Sequence, residues 1–398
     1  MSFQPILIKN ARIITHETLS SETHLFISNG IIQEINRDLS NIEKKYDVSK
    51  AITINAKNKF LTPGLIDAHV HLILNGDLDI VSYVNTTSKK KLYQNAKDNL
   101  MKSINNGITT VRDVGDTAGI LNQIKKESCR QLFPMPHLVT SGEMITTSKG
   151  HVKTICHQIN DSKTEIQHAI EKQNLVNADF IKLIISGGML TKDSTPLQTE
   201  LDKNLVLRLC QEAKMKNIPV AAHAYSSKDI SAALGGGVAS IEQGVFASEA
   251  NLKKAAQQNV VFVPTLKVSY DIIDHKDILP QYMVKNAELV LSKAKSFIRN
   301  VQRYNVNLAM GTDAGTPFNF HGDNAKELEL LVENGYPIKK AIQSATNIPA
   351  KLLGMNHRLG KIDVGIIADI LLLSKNPIDD ISAFQKNITC VISKGVCV

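Results

Sequence analysis

Short apolar runs recur through the middle of the chain, separated by stretches with helical periodicity. The runs cover residues 64–70, 109–114, 137–141, 180–186, 219–223, 238–242, 260–264 and 307–311. Between them, segments such as 203–216 and 288–304 carry apolar residues at helical spacing. Strands of this kind alternating with helices predict an α/β fold, a parallel (β/α)8 TIM barrel. An open doubly wound sheet would need a Gly-x-Gly-x-x-Gly phosphate loop after its first strand, and the sequence has none. The two ends have a different texture. Residues 6–15 and 25–35 alternate apolar with polar positions, and Asn29-Gly30 in the second has hairpin-turn chemistry. Residues 51–60, 368–374 and 388–398 continue this pattern. The expected division is a barrel over 63–357 and a small β-sandwich domain built from 1–62 and 358–398.

Composition removes several function classes. The chain has 398 residues and a formal net charge of +8. Its lysines are spread along the whole length, and only Lys89, Lys90 and Lys91 form a tight run, read as a solvated helix start. There is no Trp and no interleaving of basic with aromatic residues, so nucleic-acid binding is not expected. No stretch of about 18 apolar residues predicts a membrane span. The start, MSFQPILIKN, lacks a basic segment followed by an apolar one, and a cytoplasmic location is the expectation. The five cysteines, Cys129, Cys156, Cys210, Cys390 and Cys397, are scattered without a CxxC and read as reduced structural thiols.

In a parallel barrel, functional side chains gather where the strands end. The first run ends Asp67-Ala68-His69-Val70-His71. Residues two apart on a strand point the same way, so His69 and His71 face the interior together and suit one metal ion. The fourth run holds Lys182 inside Ile181-Lys182-Leu183. A buried ammonium is costly unless paired or neutralised. One reading is a lysine reaching to the strand rim; the other is a neutral amine that takes up CO2 as a carbamate. The fifth run ends at His223 and the eighth at Asp313, which stands between Thr312 and Ala314 as either a turn cap or a metal ligand that accepts protons.

Taken together, these segments resemble the amidohydrolase superfamily. The matching stretches are Leu61-Thr62-Pro63-Gly64-Leu65-Ile66-Asp67-Ala68-His69-Val70-His71, Ile181-Lys182-Leu183 with Ser186-Gly187-Gly188, Ala222-His223-Ala224-Tyr225, and Gly311-Thr312-Asp313-Ala314-Gly315-Thr316-Pro317. The likeness extends to His321-Gly322, to Ala345-Thr346-Asn347 and to Gly365-Ile366-Ile367-Ala368-Asp369, and points to the imidazolonepropionase-like branch with its Xaa-Pro dipeptidases and metallocarboxypeptidases. The resemblance implies a hydrolase cleaving an amide C–N bond of a small peptide-like substrate, with one or two zinc ions. It implies that His69, His71 and Asp313 bind one metal, that carboxylated Lys182 bridges to a second, and that His223 binds the second. Asp313 would then move the proton from the attacking hydroxide to the leaving nitrogen. His151, Tyr225 and His321 are candidate substrate-binding residues. His16, His24, His137, His157, His168, His275 and His357 are read as non-catalytic.

One position departs from the family pattern. The sixth run reads Ser240-Ile241-Glu242-Gln243-Gly244, with Gln243 where the family places a second-metal histidine. An amide oxygen is harder than imidazole and suits zinc less well. The second metal is therefore expected to be weakly bound, absent or a different ion. Two other functions stay open: a cyclic-amide hydrolase or deaminase of the same superfamily, and a binding homologue impaired in catalysis. Many one-metal deaminases carry a glutamate three residues after the fifth-strand histidine; here that residue is Ser226. Self-association into a homo-oligomer is a further possibility that the sequence leaves open.

Overall fold

A computed structural model describes residues 4–14, 19–117, 119–128, 135–148 and 150–398. His16 and Cys129 lie outside the described residues, as does Lys149 before His151.

Seven strands follow one another in parallel around a closed ring: Leu65–Val70, Ile108–Asp113, His137–Thr140, Ile181–Ile184, Val220–Ala224, Ser240–Gln243 and Val261–Val263. Successive pairing is continuous from the first to the third and from the fourth to the seventh. The gap between third and fourth is spanned by Asp179 N–H donating to Thr140 O at 2.8 Å. A short strand, Ile145–Thr146, also lies beside the fourth at Leu183. The eighth run forms bridges rather than a full ladder. Leu308 pairs with Phe262 on one side, and Ala314 pairs with Val70 on the other, which closes the barrel. Its backbone leaves the ladder because Asp313 takes a left-handed conformation, φ +61°. Gly311 permits the close approach: a Cβ there would stand 2.7 Å from the His69 Cβ.

The intervening helices form because their apolar residues repeat on one face. Lys203–Met215 buries Leu205, Val206, Leu209, Cys210 and Ala213, and Asp202 caps its start by accepting from the Asn204 and Leu205 N–H groups. Leu209 is fully buried against the barrel, and truncating it to Ala would cost about 2–5 kcal/mol. Lys89, Lys90 and Lys91 open an exposed first turn of the helix Lys89–Asn105, capped by Ser88.

The strands from both ends form a separate eight-stranded sheet, in which Ile6–Ile14 pairs with Leu19–Ser28, Ile52–Asn55 and Phe60–Pro63. The C-terminal strand Ile370–Leu373 pairs antiparallel with Phe60–Pro63, joining the two chain ends. Asn29 and Gly30, with φ +54° and +77°, turn the hairpin between Leu19–Ser28 and Ile31–Asn36 as their chemistry predicts. No helix among the described residues is long and apolar enough to cross a membrane.

Candidate functional site

At the C-terminal end of the barrel, one nitrogen from each of His69 and His71 and one oxygen from Asp313 lie within 4.8 Å of one another. The His71 Nε2 is 3.2 Å from Asp313 Oδ1, and the His69 Nε2 is 3.4 Å from the same oxygen. Buried hydrogen bonds set this geometry. Asp67, at the start of the same strand face, accepts from the His69 and Thr312 N–H groups, from the Thr312 hydroxyl at 2.6 Å and from the Asn324 side chain at 2.7 Å. The Asp313 N–H in turn donates to His69 O at 2.8 Å. Asp67 thereby fastens the end of the eighth segment to the end of the first strand.

The proton on His69 is placed by a second network. Its Nδ1–H donates to Glu242 Oε2 at 2.8 Å, while Arg112 Nη2 donates to Glu242 Oε1 at 2.6 Å and to Ser240 Oγ at 2.9 Å. The Phe180 ring covers the guanidinium at 4.6 Å. Burial pushes the Glu242 carboxyl up, but Arg112 and His69 outweigh it and hold it below the ordinary range. With Nδ1–H committed to a carboxylate, Nε2 is the His69 nitrogen left to face Asp313. Asp313 is also held well below its usual value, because His69 and His71 outweigh its burial. Burial and Lys182 lower His69, but Asp313 and Glu242 outweigh them and raise it, so the space between the three groups suits either a shared proton or a bound cation. The donor set, two imidazoles and a carboxylate, suits a divalent transition metal.

Lys182, His223, Gln243 and His151 line the same cavity, which has a volume of about 50 Å³. Burial lowers Lys182 to about 8, partly opposed by Glu242 and Asp313. His223 Nε2–H donates to Gly187 O at 3.0 Å, which leaves its Nδ1 as the free lone pair. Burial, then His151 and Lys182, lower His223 to about 3, so it is neutral at physiological pH. His151 stacks on His223 with ring centres 5.6 Å apart, is lowered to about 4 by burial, and bonds to Thr191 Oγ1 at 2.7 Å. Gln243 sits at φ +67°, with its Nε2 3.5 Å from Asp313 Oδ2. Its Oε1 is buried without a hydrogen-bond partner among the described residues, a condition that costs on the order of 1–3 kcal/mol. The rest of the wall is apolar, chiefly Leu74, Ile80, Met144, Ile155, Ile184 and Leu190.

Two of the residues singled out in the sequence stand behind this wall. Tyr225 meets the edge of the His223 ring at 5.2 Å, and burial pushes its hydroxyl pKa up. His321, lowered by burial to about 4, is 3.2 Å from His71 O and 3.5 Å from the Ser103 hydroxyl. Arg112, Glu242, Asp67, Thr312 and Asn324 were not singled out in the sequence. The available signal was charge inside apolar strands: Arg112 interrupts the second run and Glu242 the sixth, and each is buried.

The family model described as the amidohydrolase family matches residues 60–398. The ochratoxinase of Aspergillus niger is 26% identical over an alignment covering 91% of this chain and 79% of its own. A solved Xaa-Pro dipeptidase with methionine bound in its active site superposes with a TM-score of 0.87 at 26% identity, covering 99% of both chains. A prolidase solved with N-methylphosphonate-L-proline gives a TM-score of 0.88 at 22% identity, again over 99% of both chains, and at that identity shows the shared fold alone.

Proposed function

The chain belongs to the amidohydrolase family, and from that premise we propose that it is a zinc-dependent hydrolase of small peptide-like amides, dipeptides or N-acyl amino acids. The observation that carries the reading is the convergence of His69 Nε2, His71 Nε2 and Asp313 Oδ1 on one point beside buried Lys182 and His223. The Xaa-Pro dipeptidase and ochratoxinase likenesses support an amide as the bond cleaved.

The residues fit a bound divalent ion: His69, His71 and Asp313 would hold it, with Lys182 and His223 lining the same cavity. A metal at this position supplies a Lewis acid for the carbonyl and a nucleophilic water at neutral pH. The chain supplies the rest. Lys182, lowered to about 8 by burial, reacts as the neutral amine: its Nζ lone pair forms an N–C bond to CO2, one C=O π pair moves onto oxygen, and the nitrogen releases one proton to solvent, leaving a carbamate anion. Asp313 accepts the proton of the attacking water and delivers it to the leaving nitrogen. Glu242 keeps the His69 Nδ1–H in place, so that Nε2 remains a donor of electrons. The aliphatic wall at Leu74, Ile80, Met144 and Leu190 fits an apolar group next to the scissile bond.

A deaminase reading finds no support at the fifth strand. Ser226 Oγ accepts from the Asp229 N–H and caps the helix Ser227–Gly236, so that position serves the fold. The proposal is tested by incubating zinc-loaded protein, grown with bicarbonate, with a library of dipeptides and N-acyl amino acids. Release of free amine that a chelator abolishes supports it. A library left intact, with the metal bound, would rule it out.

A further inference from the structure

Gln243 reaches the cavity because its backbone takes φ +67° at the strand end. The orientation of its amide is fixed by its neighbour. Asp313 Oδ2, 3.5 Å away, is an acceptor only, so the NH2 of Gln243 must face it. The Oε1 is thereby turned away from Asp313 and is left buried without a hydrogen bond. The same cavity is lined by His223, whose Nε2–H is already spent on Gly187 O and whose Nδ1 is free, and by Lys182. An unpartnered amide oxygen and an unpartnered imidazole nitrogen therefore share one cavity with a lysine able to become an anionic oxygen donor.

We propose that Gln243 makes the second cation position of this cavity a weak, exchangeable site. Its oxygen-rich donors, Gln243 Oε1 and the carboxylated Lys182 with a single imidazole from His223, accept a harder divalent cation such as Mn2+ alongside one tightly held zinc. This rests on the hydrolase reading above, since it needs Lys182 carboxylated and the His69–His71–Asp313 set filled. The physical basis is ligand hardness and charge. A neutral amide oxygen is a poorer partner for zinc than imidazole and a comparatively better one for oxygen-preferring ions. The unmet acceptor on Gln243 is satisfied when a cation arrives.

The test is metal retention, not turnover. Protein saturated with zinc in bicarbonate buffer is dialysed against metal-free buffer, and the metal per chain is measured by plasma mass spectrometry for wild type and Gln243→His. The proposal expects wild type to keep close to one zinc per chain and Gln243→His close to two. Adding Mn2+ to the one-zinc wild type should give an electron spin resonance spectrum of bound manganese, weakened at least about tenfold in Gln243→His when zinc competes. Two zinc ions retained equally by both proteins would overturn the inference while leaving the hydrolase reading intact. So would one zinc in both, which would show that residue 243 does not set the occupancy of the second position. No metal retained by either protein would overturn the inference together with the reading beneath it.

Discussion

Glu242 Oε2 accepts the Nδ1–H of His69 at 2.8 Å while its Oε1 accepts Arg112 Nη2 at 2.6 Å, so one buried carboxylate orients the His69 ring and pairs a buried guanidinium. Arg112 depends on it, because among the described residues its Nε and Nη1 have no hydrogen-bond partner and its Nη2 has only the neutral Ser240 Oγ besides. Glu242→Gln should weaken zinc binding about 10–100-fold, as expected for loss of a carboxylate behind a ligating histidine. Glu242→Ala should also destabilise the fold by about 3–5 kcal/mol, because it leaves Arg112 buried and unpaired. Zinc titration and chemical denaturation of the two variants separate these effects. Wild-type zinc affinity in Glu242→Gln would remove the link between Glu242 and the metal.

Asp313 occupies the left-handed region at φ +61°, where Asn is tolerated nearly as well as Asp. Asp313→Asn should therefore keep the fold and its melting temperature while lowering kcat by about 10²–10⁴-fold, the range for loss of a general base. A variant with near wild-type kcat would show that another group moves the proton.

Much of the site was legible in the sequence, for reasons that particular residues make plain. His69, His71, His223 and Asp313 sit at or near strand ends and Lys182 lies within the fourth strand, and a closed barrel brings such positions together however far apart they are in sequence. The residues that stayed hidden act across strands. Glu242 reaches His69 over a separation of 173 positions, and Asp67 reaches Asn324 over 257. Nothing local in either segment announces its partner. The eighth segment was found as an apolar run, but its departure from ladder geometry follows from the Asp313 backbone and the close approach at Gly311. His321 was chosen as a loop histidine near the substrate, and the structure turns it towards the main chain of His71 because the loop folds back over Ser103.

Lys182 is lowered to about 8 by burial, and only the neutral amine reacts with CO2. At fixed dissolved CO2, carbamate uptake by metal-free protein should rise as pH increases through about 8, below the range of an ordinary lysine. The stability sign agrees. The unfolded chain keeps its proton to higher pH than the folded one, so the unmodified protein gains stability as pH rises from about 8 to about 10.5. Nuclear magnetic resonance with isotopically labelled bicarbonate reads the uptake. A midpoint at the ordinary lysine value, or uptake unchanged in Lys182→Ala, contradicts the assignment.

Leu190 forms part of the apolar wall and is only partly buried, so a longer polar side chain fits there without breaking the core. Leu190→Arg should shift kcat/KM from substrates with an aliphatic group towards those with an acidic one by about tenfold or more, mainly through KM. An unchanged ranking would show that Leu190 does not touch the substrate.

Under the proposed function, amide cleavage needs the cation that His69, His71 and Asp313 would hold. The most direct measurement is to strip the protein with a chelator, titrate zinc back in the presence of bicarbonate, and follow release of free amine from an apolar N-acyl amino acid or dipeptide. The expected result is no cleavage in stripped protein, activity that rises in step with the first zinc per chain, and no recovery in His71→Ala. Cleavage that persists in the stripped protein, or zinc bound at that site without cleavage of any amide, would contradict it.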